Sequence, residues 1–267
     1  MDVMMWRVME DRDQAAFRTA LSSRAAVNCA AMNAFVDLVL DGPGKNSLGT
    51  KMMTSILERL EAAKGEPVLF SGAGGVLSAG LDLKEIASLD AAGMQRFVVL
   101  VEELMARIFD HPSPTVACVN GHAIAGGCVI TICCDHRVMT TNEQARIGLN
   151  EVALGLVFPP KIFRIVQHRV PPRALHEVTL RAGLHAPKDA LRLGLVDELA
   201  DDARAVSESR VTELAAHPRA AYVATKQALR EGVTSFSKAD YDAALSATLP
   251  AWTSDDIKRR VIARLKK

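Results

Sequence analysis

The sequence predicts an α/β fold on a mainly parallel sheet with helical cover, and three observations predict it. Short apolar runs bounded by turn residues alternate with longer stretches of helical periodicity. The runs Pro67–Phe70 and Thr115–Val119 have the length and apolar character of buried strands. From Ala203 onwards the pattern is helical, so helices gather at the C-terminal end.

Residues 1–33 are Met-rich and carry Arg7, Arg12, Arg18 and Arg24, with no acid between Gln14 and Val36. That composition has a transit-peptide flavour, against which Asp2, Glu10, Asp11 and Asp13 weigh. Ala26–Ala31 is a weak first strand. Ala34–Leu40 is the next, ended by the turn Asp41-Gly42-Pro43-Gly44. Met53, Ile56, Leu57 and Leu60 give Thr50–Lys64 a helical period, and Val68–Phe70 is a buried strand. Asp82 with Glu85 three residues on has the pattern of a capping box opening the following helix.

Met94–Phe109 is amphipathic, with Phe97, Leu100, Val101, Leu104 and Ile108 on one face. His111-Pro112-Ser113-Pro114 ends it before the strand Thr115–Val119. An apolar helix over 127–134 and a strand at His136–Thr140 follow. Pro159-Pro160 and Pro171-Pro172 punctuate the next helices, Pro187–Leu193 is helical, and Gly194–Asp197 is read as a final short strand. The remaining helices break at His217-Pro218 and at Gly232. The organisation is therefore an N-terminal segment at 1–33, a core at 34–200 and a helical region at 201–267.

At 267 residues and 28.8 kDa the chain can build one large core plus a smaller appendage. Lys and Arg number 32 against 31 acids, and that balance lacks the basic face a nucleic-acid binder needs. Lys258-Arg259-Arg260 is an ordinary helix-face cluster or a local phosphate contact. No apolar run reaches the roughly 18–20 residues that span a bilayer. The cysteine count is 5, and Cys118, Cys128, Cys133 and Cys134 sit in apolar stretches, as reduced core thiols do. Cys133-Cys134-Asp135-His136 has no second ligand pair at zinc spacing, so no metal is expected.

Chemistry concentrates in two segments. In Val119–Thr131, Gly126 and Gly127 precede an apolar helix, whose first turn aims free N–H groups and the positive end of its dipole forward. A close helix–helix contact is the better explanation of a Gly pair on this segment alone. In the second segment, Ser78-Ala79-Gly80 is a small-residue turn before Leu81-Asp82-Leu83. Two amides near helix starts, at Leu81 and Gly126, would form an oxyanion hole if they converge. Glu151 follows among apolar Leu149, Val152, Leu154, Leu156 and Val157. A dry site raises a carboxylate's pKa and makes it a base near neutral pH.

Lys45-Asn46-Ser47-Leu48, Ser78 to Leu83, Asn120 to Cys128, and Gly148-Leu149-Asn150-Glu151 with Leu154-Gly155 resemble, in order, the blocks of the crotonase (enoyl-CoA hydratase/isomerase) superfamily. The resemblance runs from about Ala34 to the C-terminus. It implies a ββα spiral core with a C-terminal helical trimerisation region. Family hydratases carry Gly-Gly-Gly-Cys-Glu, whereas this chain reads Ala125-Gly126-Gly127-Cys128-Val129. The first acid is replaced and the later one kept, which resembles the mitochondrial-type Δ3,Δ2-enoyl-CoA isomerases.

The resemblance implies an acyl-CoA thioester substrate, Leu81 and Gly126 as oxyanion donors, and Glu151 as proton shuttle. Substrate contacts are expected from Lys45, Ser47, Leu48, Ala79, Asp82, Leu83, Ile124, Gly127, Val129, Asn150 and Leu154. Asn150 either orients Glu151 or lines the acyl pocket. His122 is read as packing, and Glu85 and Glu143 as surface charges. No cofactor is expected beyond the CoA of the substrate. The expected assembly is a homotrimer, with pairing of trimers open, and the compartment is cytoplasmic in a bacterium or the mitochondrial matrix in a eukaryote. Hydration, decarboxylation or thioester hydrolysis of an acyl-CoA, and a low-turnover binding protein, are the alternatives.

Overall fold

The computed structural model describes residues 35–265; the expectations for 1–33 and for Cys29 fall outside them. After β1 (Val36–Leu40) comes α1 (Thr50–Ala62), then β2 (Val68–Gly72) and β3 (Val76–Ser78) with α2 (Leu83–Ser88) and α3 (Ala91–Phe109). The next turn is β4 (Thr115–Val119), β5 (His122–Ile124) and α4 (Gly126–Cys133). It is followed by β6 (His136–Thr140), β7 (Ile147–Gly148) and α5 (Glu151–Leu154). Then come α6 (Pro160–Arg169), α7 (Pro172–Leu180), α8 (Pro187–Arg192), β8 (Glu198–Ala200), α9 (Ala203–Ala215), α10 (Arg219–Arg230), α11 (Lys238–Thr253) and α12 (Asp255–Leu265).

The strands form two parallel sheets, β1-β2-β4-β6-β8 and β3-β5-β7. β2, β4 and β6 lie in the large sheet and the strand following each, β3, β5 and β7, lies in the small one, which makes a spiral. Side chains alternate across the large sheet with the period of two that a strand imposes. Leu69, Val116, Cys118 and Val138 face Ala203 and Val211 of α9. Phe70, Ala117, Val119 and Met139 face the main core with Met53 and Ile56 of α1 and Phe97, Val101 and Ile108 of α3. Strands β2 and β4 are buried along their whole length, the reason they read as continuous apolar runs.

Helix α4 is buried throughout. The Arg169 guanidinium closes its C-terminal end, donating to the carbonyls of Ile132 at 3.1 Å and Cys134 at 2.8 Å. A cation at that end complements the helix dipole and satisfies carbonyls that have no intrahelical partner. Asp135, the next residue, accepts from the Thr115 N–H at 2.8 Å, from Lys226 at 2.6 Å and from Arg230 at 2.6 Å. The helix that ends here is thereby fixed to the sheet and to α10. Cys118, Cys128, Cys133 and Cys134 are free and buried, and burial pushes the Cys134 thiol up to about 12. No helix among the described residues is long and apolar enough to cross a membrane.

Three expectations are corrected. The final strand is Glu198–Ala200 rather than Gly194–Asp197, because Leu195 and Val196 are buried and Asp197 is held by Arg137 at 2.5 and 2.8 Å before pairing begins. Only half of the capping box forms: Asp82 accepts the N–H of Lys84 at 2.9 Å and of Glu85 at 3.2 Å. The Glu85 carboxylate goes instead to the Thr50 N–H at 2.8 Å and to the Thr50 hydroxyl. Gly49 stands at the N-cap of α1 with no side chain to cap it, so Glu85 supplies the acceptor. Glu85 is thus a brace between two helices, whereas Glu143 is the exposed charge expected of it.

Candidate active site

Two loops, Ser78–Leu81 and Ile124–Gly127, lie against each other at the N-terminal end of α4. A Cβ on Gly80 would stand 2.7 Å from the Ile124 carbonyl oxygen, and one on Gly127 would stand 2.7 Å from that of Ser78. Only glycine lets the two backbones approach so closely. Gly126 faces Leu81, whose Cδ2 lies 3.3 Å from where a Gly126 Cβ would be. The two loops that carry the Leu81 and Gly126 amides are therefore in contact.

The segment Lys45–Leu48 holds the first loop from behind. The Ala79 N–H donates to the Lys45 carbonyl at 3.0 Å, the Gly80 N–H to the Ser78 hydroxyl at 3.1 Å and the Asp82 N–H to the Leu48 carbonyl at 3.2 Å. Among the described residues the Leu81 N–H has no acceptor. Gly126 is the first residue of α4, and its N–H likewise has none. A buried backbone donor is almost always paired, so two unpaired donors on touching loops are hydrogen-bonding capacity left for a ligand. Asn46 secures the scaffold. It is buried in a left-handed conformation, φ 59°, and its amide donates to the carbonyls of Ala73 at 3.1 Å and Val76 at 2.8 Å.

Ala125, at φ 47° and ψ −113°, occupies backbone space that favours glycine. Its N–H donates to the Gly148 carbonyl at 2.8 Å and its carbonyl accepts the Val129 N–H at 2.9 Å, so the loop is held from both sides. Ala125→Gly is expected to raise stability by about 0.5–1 kcal/mol, relief of strain exceeding the extra chain entropy of glycine. Denaturant midpoints at constant m-value check this.

Glu151 opens the single-turn helix α5 and is 7% exposed. Its Oε2 is buried without a hydrogen-bond partner, and it has no counter-ion among the described residues. Burial pushes its pKa up to about 7, opposed only by its own backbone N–H. Gly155 caps α5 at φ 84°, and Ile257 of α12 presses on that cap. Glu151 shares a cavity of about 130 Å³ with Ala79, Leu81, Leu83, Ile124, Gly126, Val129, Asn150 and Leu154. These eight were all expected at the site from the sequence. Among the described residues, Glu151 is the only acid or base lining that cavity.

Lys45, Ser47, Leu48, Asp82 and Gly127 do not line the cavity. Leu48 is fully buried and bridges to Leu81 through backbone bonds, Gly127 packs on Ser78, and Asp82 caps α2. Ser47 donates to the Pro43 carbonyl at 3.2 Å, and Lys45 is exposed. Asn150 lines the cavity with its Oδ1 unpartnered. His122 packs as expected, its Nδ1 accepting the Arg146 N–H at 3.1 Å. The sequence reading missed Ile86, Met105, Phe158, Ile162 and Trp252, which complete the wall. Their helices were legible by periodicity, but a period does not say which apolar face meets a cavity rather than solid core.

A family model described as enoyl-CoA hydratase/isomerase matches residues 31–264. The chain belongs to this family. Among curated members it is 35% identical over 203 residues to the mitochondrial enoyl-CoA delta isomerase 1 of Mus musculus, covering 72% of this chain and 69% of that protein. It is 33% identical over 177 residues to a putative enoyl-CoA hydratase of Thermus thermophilus, covering 64% of this chain and 69% of the other. The crystal structure of human mitochondrial delta3-delta2-enoyl-CoA isomerase superposes with a TM-score of 0.82 at 26% identity, covering 88% of this chain and 93% of that one. As an enoyl-CoA hydratase/isomerase family enzyme with the crotonase fold, the chain carries the free amides and the buried acid inside the region that the family model matches.

Proposed function

We propose that this enzyme is an isomerase that moves the double bond of a 3-enoyl-CoA into conjugation with its thioester. One observation carries the reading: Val129 and Glu151 share a cavity in which Glu151 is the only acid or base among the described residues. The thioester oxygen sits between the N–H groups of Leu81 and Gly126. Their donation stabilises the enolate formed as Glu151 takes a proton from C2. The C2–H pair forms a C1–C2 double bond as the carbonyl π pair moves onto the oxygen. On collapse the oxygen pair re-forms the carbonyl, the C1–C2 π pair becomes the C2–C3 double bond, and the C3–C4 π pair takes the proton from Glu151 at C4. The double bond ends between C2 and C3, with no net gain or loss of atoms. CoA is the handle of the substrate, and no other cofactor takes part.

The pKa of about 7 suits both halves of this cycle, because a base near the working pH also gives its proton back. Hydration is the second reading, supported by the Thermus thermophilus relative. Incubation with 3-hexenoyl-CoA tests the proposal: the absorbance of a conjugated enoyl thioester should appear at a rate proportional to enzyme. Its absence at high enzyme concentration would end the isomerase reading. A homotrimer belongs to the same proposal. Light scattering should return three times the chain mass.

A further inference from the structure

Glu102 on α3 is fully buried, although nothing in the proposed chemistry uses it. One carboxylate oxygen accepts the Lys161 N–H at 2.7 Å, in the first turn of α6, and the other accepts the Tyr241 hydroxyl at 2.6 Å, near the start of α11. The Lys161 ammonium also stands 4.9 Å from the centre of the Tyr241 ring. A buried carboxylate is costly unless its oxygens are satisfied, and here both bonds join different helices. The same three helices line one cavity: Val101 and Met105 from α3, Ile162 from α6 and Trp252 from α11.

Trp252 lines the cavity and is 1% exposed, so its indole takes up volume on that wall rather than facing solvent. Its Nε1–H donates to the Val157 carbonyl at 2.9 Å. Tyr241 and Trp252 are about three helical turns apart and share a face of α11. Pro250 removes a backbone donor two residues before Trp252, which leaves the end of the helix dependent on its tethers. We propose that Trp252 is the stop that limits acyl length, and that Glu102, through Tyr241, is the positioning residue that holds α11 and this stop in place. A cavity of about 130 Å³ is comparable to one that accommodates a six-carbon ring. The substrate class is therefore short acyl chains of about six carbons, not long fatty acyls. The inference rests on the reading of this cavity as the acyl site.

Calorimetric titration with saturated acyl-CoAs from butyryl to dodecanoyl tests it without any turnover. For the wild type, affinity should rise about threefold to fourfold per methylene to about six carbons and then stop rising or fall. Trp252→Leu should move that break two or more carbons longer, and the near-isosteric Tyr241→Phe should move it the same way by less. A merely structural Glu102–Tyr241 contact would lower Tm and weaken all lengths in parallel. Affinity that climbs unbroken to dodecanoyl-CoA, or variant series that keep the wild-type break, would overturn the proposal. Failure of every acyl-CoA to bind would overturn the acyl reading of the site itself, and the stop with it.

Discussion

Glu151→Gln will lower isomerisation of 3-hexenoyl-CoA by about 10²–10⁴ or more while leaving acyl-CoA affinity within a few-fold. Glutamine keeps the shape and burial of the side chain and removes its basicity, and on this proposal one group performs both proton transfers. The wild-type kcat/KM should rise with pH through about 7, since the base must be ionised to act. Stability should move the other way. A carboxyl whose pKa climbs from 4.5 in the unfolded chain to about 7 in the fold binds more protons when folded, so stability falls as pH rises between those values. That shift corresponds to a cost on the order of 3 kcal/mol above pH 7 and none below 4.5. Glu151→Gln should therefore be more stable than the wild type at pH 8 and nearly equal to it at pH 4, and the lost activity is then not lost folding. A variant that keeps more than about a tenth of wild-type kcat would remove Glu151 from its role.

Val129→Glu should convert part of the activity, raising hydration of crotonyl-CoA and lowering isomerisation. Val129 is 1% exposed and lines the cavity with Glu151, so a carboxylate there meets the same ligand. Hydration needs a water held and deprotonated beside C3, and an isopropyl group offers that water neither acceptor nor charge. The apolar wall also keeps water from the dienolate. The new acid has no cationic neighbour among the residues lining the cavity, so about 1–3 kcal/mol of stability goes with it. Both rates belong on protein whose folding and assembly have been checked. Unchanged hydration in a folded variant would show that Val129 is not what withholds that reaction.

The large sheet was legible because β2 and β4 are buried on both faces and spell unbroken apolar runs. The small sheet was not, because β3, β5 and β7 have only two or three residues each, too few to show a period. Leu81, Gly126 and Glu151 were legible as motifs, whereas their meeting depends on Gly80 and Gly127, which matter only once both loops are in place. Leu48 looked like a substrate contact from its block and is a hydrogen-bonding strut instead. Trp252 carried no signal, since a tryptophan on a helix near the C-terminus reads the same whether it closes a pocket or packs a core.

The central claim is that one buried base beside an apolar wall favours moving a proton over adding water. The ratio of kcat/KM for isomerising 3-hexenoyl-CoA to kcat/KM for hydrating crotonyl-CoA, measured on one preparation of the wild type, tests it most directly. A ratio of about 10² or more is expected, the factor a positioned acid–base group typically supplies. A ratio near or below one would contradict it and make the enzyme a hydratase working with a single base.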